Sequence, residues 1–183
     1  MSNRDAQNRV AGAYVDLVAI KAGATRAVHP ETAIANAARL SGGLLLRSFD
    51  LDLKKFEPGS VVLSEQANEQ GPQLINILAA MLQSFGIKLD KAKLGGNALR
   101  GEEPKLSVLE SLTLLQEGAL QIASDNHLNL KEAAQSAAVA TAFIVKECAG
   151  TISAEVGFNV AVYGFIAGSK TVPPKLQAAD LTT

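Results

Sequence analysis

The chain has no tryptophan, one cysteine, two histidines and two methionines in 183 residues. Aromatic residues make up only 4% of it, so its core has to be assembled from Leu, Val, Ile and a large amount of Ala. Alanine-rich segments favour helices, because alanine loses no side-chain entropy in one. The lone Cys148 excludes an intrachain disulfide framework and fits a reducing compartment. Clustered cations are also missing: the nearest approach is Lys54-Lys55, flanked by Asp50, Asp52 and Glu57. Nucleic-acid binders need a concentrated basic face to displace counterions from phosphates, so that class is disfavoured. Neither G-x-x-x-x-G-K-S/T nor G-x-G-x-x-G occurs, which removes two phosphate cradles. The first nine residues hold no apolar stretch of the kind a secretory signal needs, and the cytoplasm is the expected location.

What the chain does have is hydrophobic residues, at 48% of the total, enough at this length to bury the core of a single domain. The richest stretch is Ile152–Gly168. As a helix it is apolar nearly all round and must be buried. Interrupted by Glu155 and Asn159, it is short of the roughly 20 apolar residues a bilayer span requires. It reads instead as a core helix, with no membrane partner. Gly157, Ala161, Gly164 and Gly168 repeat at spacings of four, three and four, which puts them on one stripe. A stripe without bulky side chains invites a close helix contact, either with the alanine-rich helix just before it, through Ala133, Ala137 and Ala140, or with a second copy of the chain.

Five further helices follow from apolar periodicity and start or stop signals. They are expected over about Asp5–Ala22, from Pro30 to about Phe49, from near Ser64 to Phe85 with a break or kink at Gly71-Pro72, from after Pro104 to Ala123, and from Asn129 to Cys148. Ser107 with Glu110 and Asn129 with Glu132 have the spacing of capping boxes. Gly42-Gly43 weakens the second helix or marks a close contact within it. Residues 51–63 alternate like a short β-hairpin, but a two-stranded ribbon alone is barely stable, and a loop packed on the bundle is the preferred reading. No internal repeat and no resemblance to a known family is evident. The expected fold is therefore an all-α, single-domain bundle of about six helices around the buried C-terminal helix. The domain spans residues 1–170 and a mobile tail spans 171–183.

Chemistry is harder to find. His29-Pro30-Glu31 has the H-x-E spacing of zinc deaminases, but their paired cysteines are absent and the match fails at the metal ligands. His29 reads as a helix N-cap, with Glu31 near the positive end of the helix dipole. His127 falls in a loop by composition, Gly95-Gly96-Asn97 reads as a plain loop, and Cys148 reads as a buried, inert thiol. The polar run from Ser64 to Pro72 stands out. On a helix, Glu65, Asn68 and Glu69 share one face, where two carboxylates and an amide are able to bind a cation or act as an acid–base pair. His29 and Arg39 are the candidates for a third group. Glu65, Asn68, Glu69 and His29 are thus the candidate ligand-binding residues, and Gly157, Ala161 and Gly164 the candidate interface or close-packing residues. No catalytic set, metal site or cofactor is assigned.

The leading functional expectation is a non-catalytic, homo-oligomeric helical binding or scaffold protein able to take a small-molecule ligand. The alternatives are a small metal-dependent hydrolase or other enzyme using Glu65 and Glu69, with His29 as a further candidate, and a helical pocket for an apolar ligand lined by residues such as Met81.

Overall fold

A computed structural model of the chain describes residues 3–22, 29–95 and 101–176. The protein is all-helical. Its six helices are α1 (Asn3–Ala22), α2 (Pro30–Arg47), α3 (Glu65–Ser84), α4 (Val108–Asp125), α5 (Leu130–Cys148) and α6 (Ala154–Lys170). No described helix is long and apolar enough to cross a membrane.

Local chemistry sets most of the boundaries. Ser107 and Glu110 close a reciprocal capping box on α4, as Asn129 and Glu132 do on α5, each answering two otherwise unpaired backbone N–H groups. Ser64 caps α3 and Ser153 caps α6 by accepting from the third helical amide. The α4–α5 turn is a Schellman closure, with Leu128 N–H on the Ala123 carbonyl and His127 N–H on that of Ser124. It forces His127 to a φ of +56°, a position that glycine normally fills. Helix α3 continues through Gly71-Pro72 as one helix. Pro72 is exposed, so water can serve the Asn68 carbonyl that the proline cannot reach.

Burial is most complete in α2, where everything from Glu31 to Leu46 except Arg39 is buried. Helix α6, expected at the centre, shares it: α2 and α6 are the most extensively packed pair in the molecule. The small-residue stripe of α6 meets α2, not α5. A Cβ on Gly164 would lie 2.6 Å from the Ala38 methyl, and one on Gly168 would strike the Arg39 carbonyl. In return, a Cβ on Gly42 would strike the Phe165 carbonyl oxygen and lie 2.6 Å from the Ser169 amide. Residue numbers rise together along this seam, so the two helices run parallel. Gly157 alone turns toward α5, facing Val145. Helix α5 packs chiefly on α2 and α1, which draws its alanines away from α6. The second glycine of the pair, Gly43, makes room for Leu112 of α4.

Residues 51–63 form no hairpin. They make a 3-10 turn at Leu53–Lys55 and then pair with the segment that follows α6, through a single bridge between Val61 and Thr171. Backbone bonds between Val62 and Lys170, Gly59 and Val172, and Val172 and Ser60 complete the junction. Residues 171–176, expected in the tail, are held there and by Arg47, which donates to the Pro174 carbonyl. The expected turn residues Gly96 and Asn97, and positions 177–183, lie outside the described residues.

Candidate functional site

The connection from α3 to α4 is long, running from Phe85 to Ser107, and loops of this length are commonly functional. Its described residues, 85–95 and 101–107, behave as a strap tied across α6 and the start of α2 by side chains of those helices. The two polar residues that interrupt α6 hold its first part. Glu155 accepts the Asp90 amide at 3.0 Å, and the Asn159 carboxamide bonds both the Gly95 amide and the Lys93 carbonyl. The Asp90 amide is the main cause that draws the Glu155 carboxyl below its ordinary value.

The second part of the strap is tied to the first turn of α2. Glu31 is 4% exposed, and its Oε1 accepts the Glu102 amide at 3.0 Å. Gly101, at φ +68°, lets the chain fold over that carboxylate; any Cβ there would collide with Glu31 Oε1. His29 caps the helix, its Nδ1 accepting from the Thr32 amide at 3.3 Å and lying 2.9 Å from the Thr32 hydroxyl. With Nδ1 used as an acceptor, the neutral ring carries its proton on Nε2, where it donates to Glu102 Oε2 at 2.9 Å. That bond is the main cause of the lowered Glu102 carboxyl pKa. Thr32 Oγ1 in turn accepts the Lys105 amide. Both ends of this part of the strap therefore converge on one His–Thr pair.

Arg39, two turns further along α2, clamps the end of the strap. Its Nη1 donates to the Leu106 carbonyl at 2.6 Å and to the Ser111 hydroxyl at 3.0 Å. Ser111 also bonds the fully buried Asn36. Asn36 Nδ2 and Arg39 Nε are both buried without a hydrogen-bond partner among the described residues, an uncommon and costly condition. Burial pushes the Arg39 pKa down, and the charge of Glu103 opposes that shift.

Between the strap and the α2–α6 seam lies a pocket of about 190 Å³. Ala35, Gly164 and Val160 form its apolar side, while Arg39, Glu102, Glu103 and Tyr163 give it charge and polarity. Cys148 lies within electrostatic reach of Glu31. Burial raises its pKa, and the charges of Glu31 and Glu147 raise it further. This environment opposes the thiolate that nucleophilic chemistry requires.

Of the residues expected at a site, the structure brings His29 and Arg39 to one strap but leaves the other three elsewhere. Glu65, Asn68 and Glu69 are exposed on the first two turns of α3, and none of their side chains makes a hydrogen bond or ion pair with a described residue. Asn68 borders an apolar hollow with Pro72, Ile75 and Ile166. His127 is exposed in its turn. Thr32, Glu102 and Ser111 escaped the sequence reading, and Glu31 was read there only as a helix-dipole residue, because their partners lie 71 to 75 positions away in the chain. Among the described residues, no group of three His, Cys, Asp or Glu side chains is arranged to hold a metal ion. Compared with known protein families, curated proteins and solved structures, the chain matches none of them.

Proposed function

We propose that the chain is a non-catalytic helical binding protein that acts as a homo-oligomer in the cytoplasm, with the pocket under the strap as its small-molecule site. The observation that carries this reading is the pocket's lining. A half-buried guanidinium on one side and the carboxylates of Glu102 and Glu103 on the other flank a floor of small residues, an arrangement complementary to a ligand bearing both charges. At about 190 Å³ the pocket is below the roughly 300–1,000 Å³ of drug-sized sites, so the ligand class is a small zwitterion of amino-acid size.

Self-association is supported by the apolar side chains left outside. Leu63 is 78% exposed, Val61 70% and Ile166 43%, and the Val62–Lys170 bond brings the 61–63 segment to the C-terminal end of α6. Together with the Pro72 and Ile75 hollow they form an apolar face of the kind that marks contact surfaces. The hydrolase alternative has no comparable support, because Glu65 and Glu69 make no side-chain hydrogen bond or ion pair among the described residues, with His29 or with any other.

Native mass spectrometry of the purified protein tests both parts. The expected spectrum is a dimer or higher oligomer whose subunits retain, or take up from an amino-acid mixture, one small ligand each. Arg39→Met should lose the ligand, and Ile166→Glu should give monomer. A monomeric parent that takes up no zwitterion would refute the reading.

A further inference from the structure

Beyond the strap pocket, the C-terminal end of α2 carries a second and larger cavity, of about 400 Å³. Its walls are apolar, from Leu53, Pro174 and Leu176, and its charged lining is entirely cationic: Arg47, Lys54 and Lys175. Arg47 is half-buried, and its Nη2 is fixed by two neutral acceptors, Gln116 Oε1 at 2.6 Å and the Pro174 carbonyl at 2.7 Å. Burial lowers its pKa. Lys54 and Lys175 are exposed, and neither they nor Arg47 forms an ion pair among the described residues. By contrast, the neighbouring Lys55 is paired with Asp52 at 3.1 Å.

Removing a guanidinium from water is costly unless it is paired. The negative end of the α2 dipole offsets part of that cost; it does not explain why two more unpaired cations border the same cavity. The cationic lining is complementary to a carboxylate headgroup, and the leucine and proline walls to a short hydrocarbon tail. We propose that this cavity binds an amphiphilic carboxylate, a medium-chain fatty acid or its close analogue, with Arg47 as the buried anchor and Lys54 and Lys175 as the rim. This site is separate from the strap pocket, and its failure would leave the reading of that pocket untouched.

Isothermal titration of the full chain with decanoate is the test. The expected result is saturable binding at one site per chain, weakened by added salt. The double variant Lys54→Gln/Lys175→Gln, altered only at exposed positions, should bind about tenfold more weakly while unfolding at the parent's denaturant midpoint. Arg47→Met should abolish binding. Decylammonium should not bind, because the cations repel it, and inorganic phosphate should bind far more weakly than decanoate, because it leaves the apolar walls unused. Equal binding of phosphate and decanoate, equal binding of decylammonium, or an unaffected double variant would each overturn the proposal. Asp180 lies outside the described residues, and Asp180→Asn should leave decanoate affinity unchanged. Tighter binding by that variant would mean that the chain's own carboxylate fills the cavity, and would also overturn it.

Discussion

Replacing Gly42 by Ala should destabilise the protein by about 2 kcal/mol, although in an open helix the same change is stabilising. Intrinsic propensity favours Ala over Gly by about 1 kcal/mol in a helix interior. At Gly42 the added methyl meets the backbone of α6: it strikes the Phe165 carbonyl oxygen and lies 2.6 Å from the Ser169 nitrogen and 3.0 Å from the Gly168 carbonyl carbon. The optimum for such contacts is about 3.5–4.0 Å, so α2 and α6 must separate by about 1 Å. No rotamer change relieves a collision with backbone. A gap of that size forfeits a quarter to a half of the dispersion attraction between facing atoms, and it opens along a seam that includes Ala38, Arg39, Gly164 and Gly168. Overpacking costs about 1–3 kcal/mol; a rigid obstacle puts this case at the upper end, and propensity returns about 1. Gly12 is the control, since it is exposed on α1 and a Cβ there meets nothing within 4 Å. Gly12→Ala should raise stability by up to about 1 kcal/mol. The assay is urea unfolding followed by helical circular dichroism. With a slope of about 1–3 kcal/mol per molar, the Gly42→Ala midpoint should fall by about 1 M. If Gly42→Ala unfolds at or above the parent midpoint with an unchanged slope, the close α2–α6 crossing is wrong.

Gly164→Leu should lower the same midpoint further, because its larger side chain meets Ala38 and the backbone of Ala35 and Arg39. His127→Gly should raise stability by about 1 kcal/mol, since it relieves a left-handed conformation costly to a residue with a Cβ, again read from the urea midpoint. Glu31→Gln should speed hydrogen exchange at the Glu102 amide, and Thr32→Val at the Lys105 amide, while amides in the middle of α5 stay protected; unchanged exchange at both would mean that these side chains do not hold the strap. Acid should weaken the fold in a defined window. Glu102, Glu110 and Glu155 all have folded pKa values below the ordinary 4.5, so the stability they add is present above that value and is lost as the pH falls through the folded values. Glu110→Gln should flatten part of that slope in urea midpoints measured against pH.

Helices were legible in the sequence wherever a signal acts within four residues. The capping pairs Ser107/Glu110 and Asn129/Glu132 sit where spacing placed them, and His29 caps α2 through Thr32. The central place of α2 was harder to see, since glycines and alanines on several faces of a helix give no sharp apolar stripe. The stripe on α6 was visible, but which helix answers it depends on the Ala38 and Gly42 face of α2, more than a hundred residues away. Glu65 and Glu69 attracted attention because charge density is a local property, whereas burial is not. Glu31, equally charged and less conspicuous, is the carboxylate that the fold encloses.

The parallel seam between α2 and α6 has a consequence for synthesis. Gly42 leaves the ribosome long before Ser169, the residue it packs against, and at about 5–20 residues per second the wait is roughly 6–25 seconds. Throughout that interval the face of α2 that α6 will cover has no partner of its own. The nascent chain therefore presents a helix built for enclosure before its enclosure exists, and it depends on α4 and α5, or on a chaperone, to keep that helix from finding a neighbouring chain first.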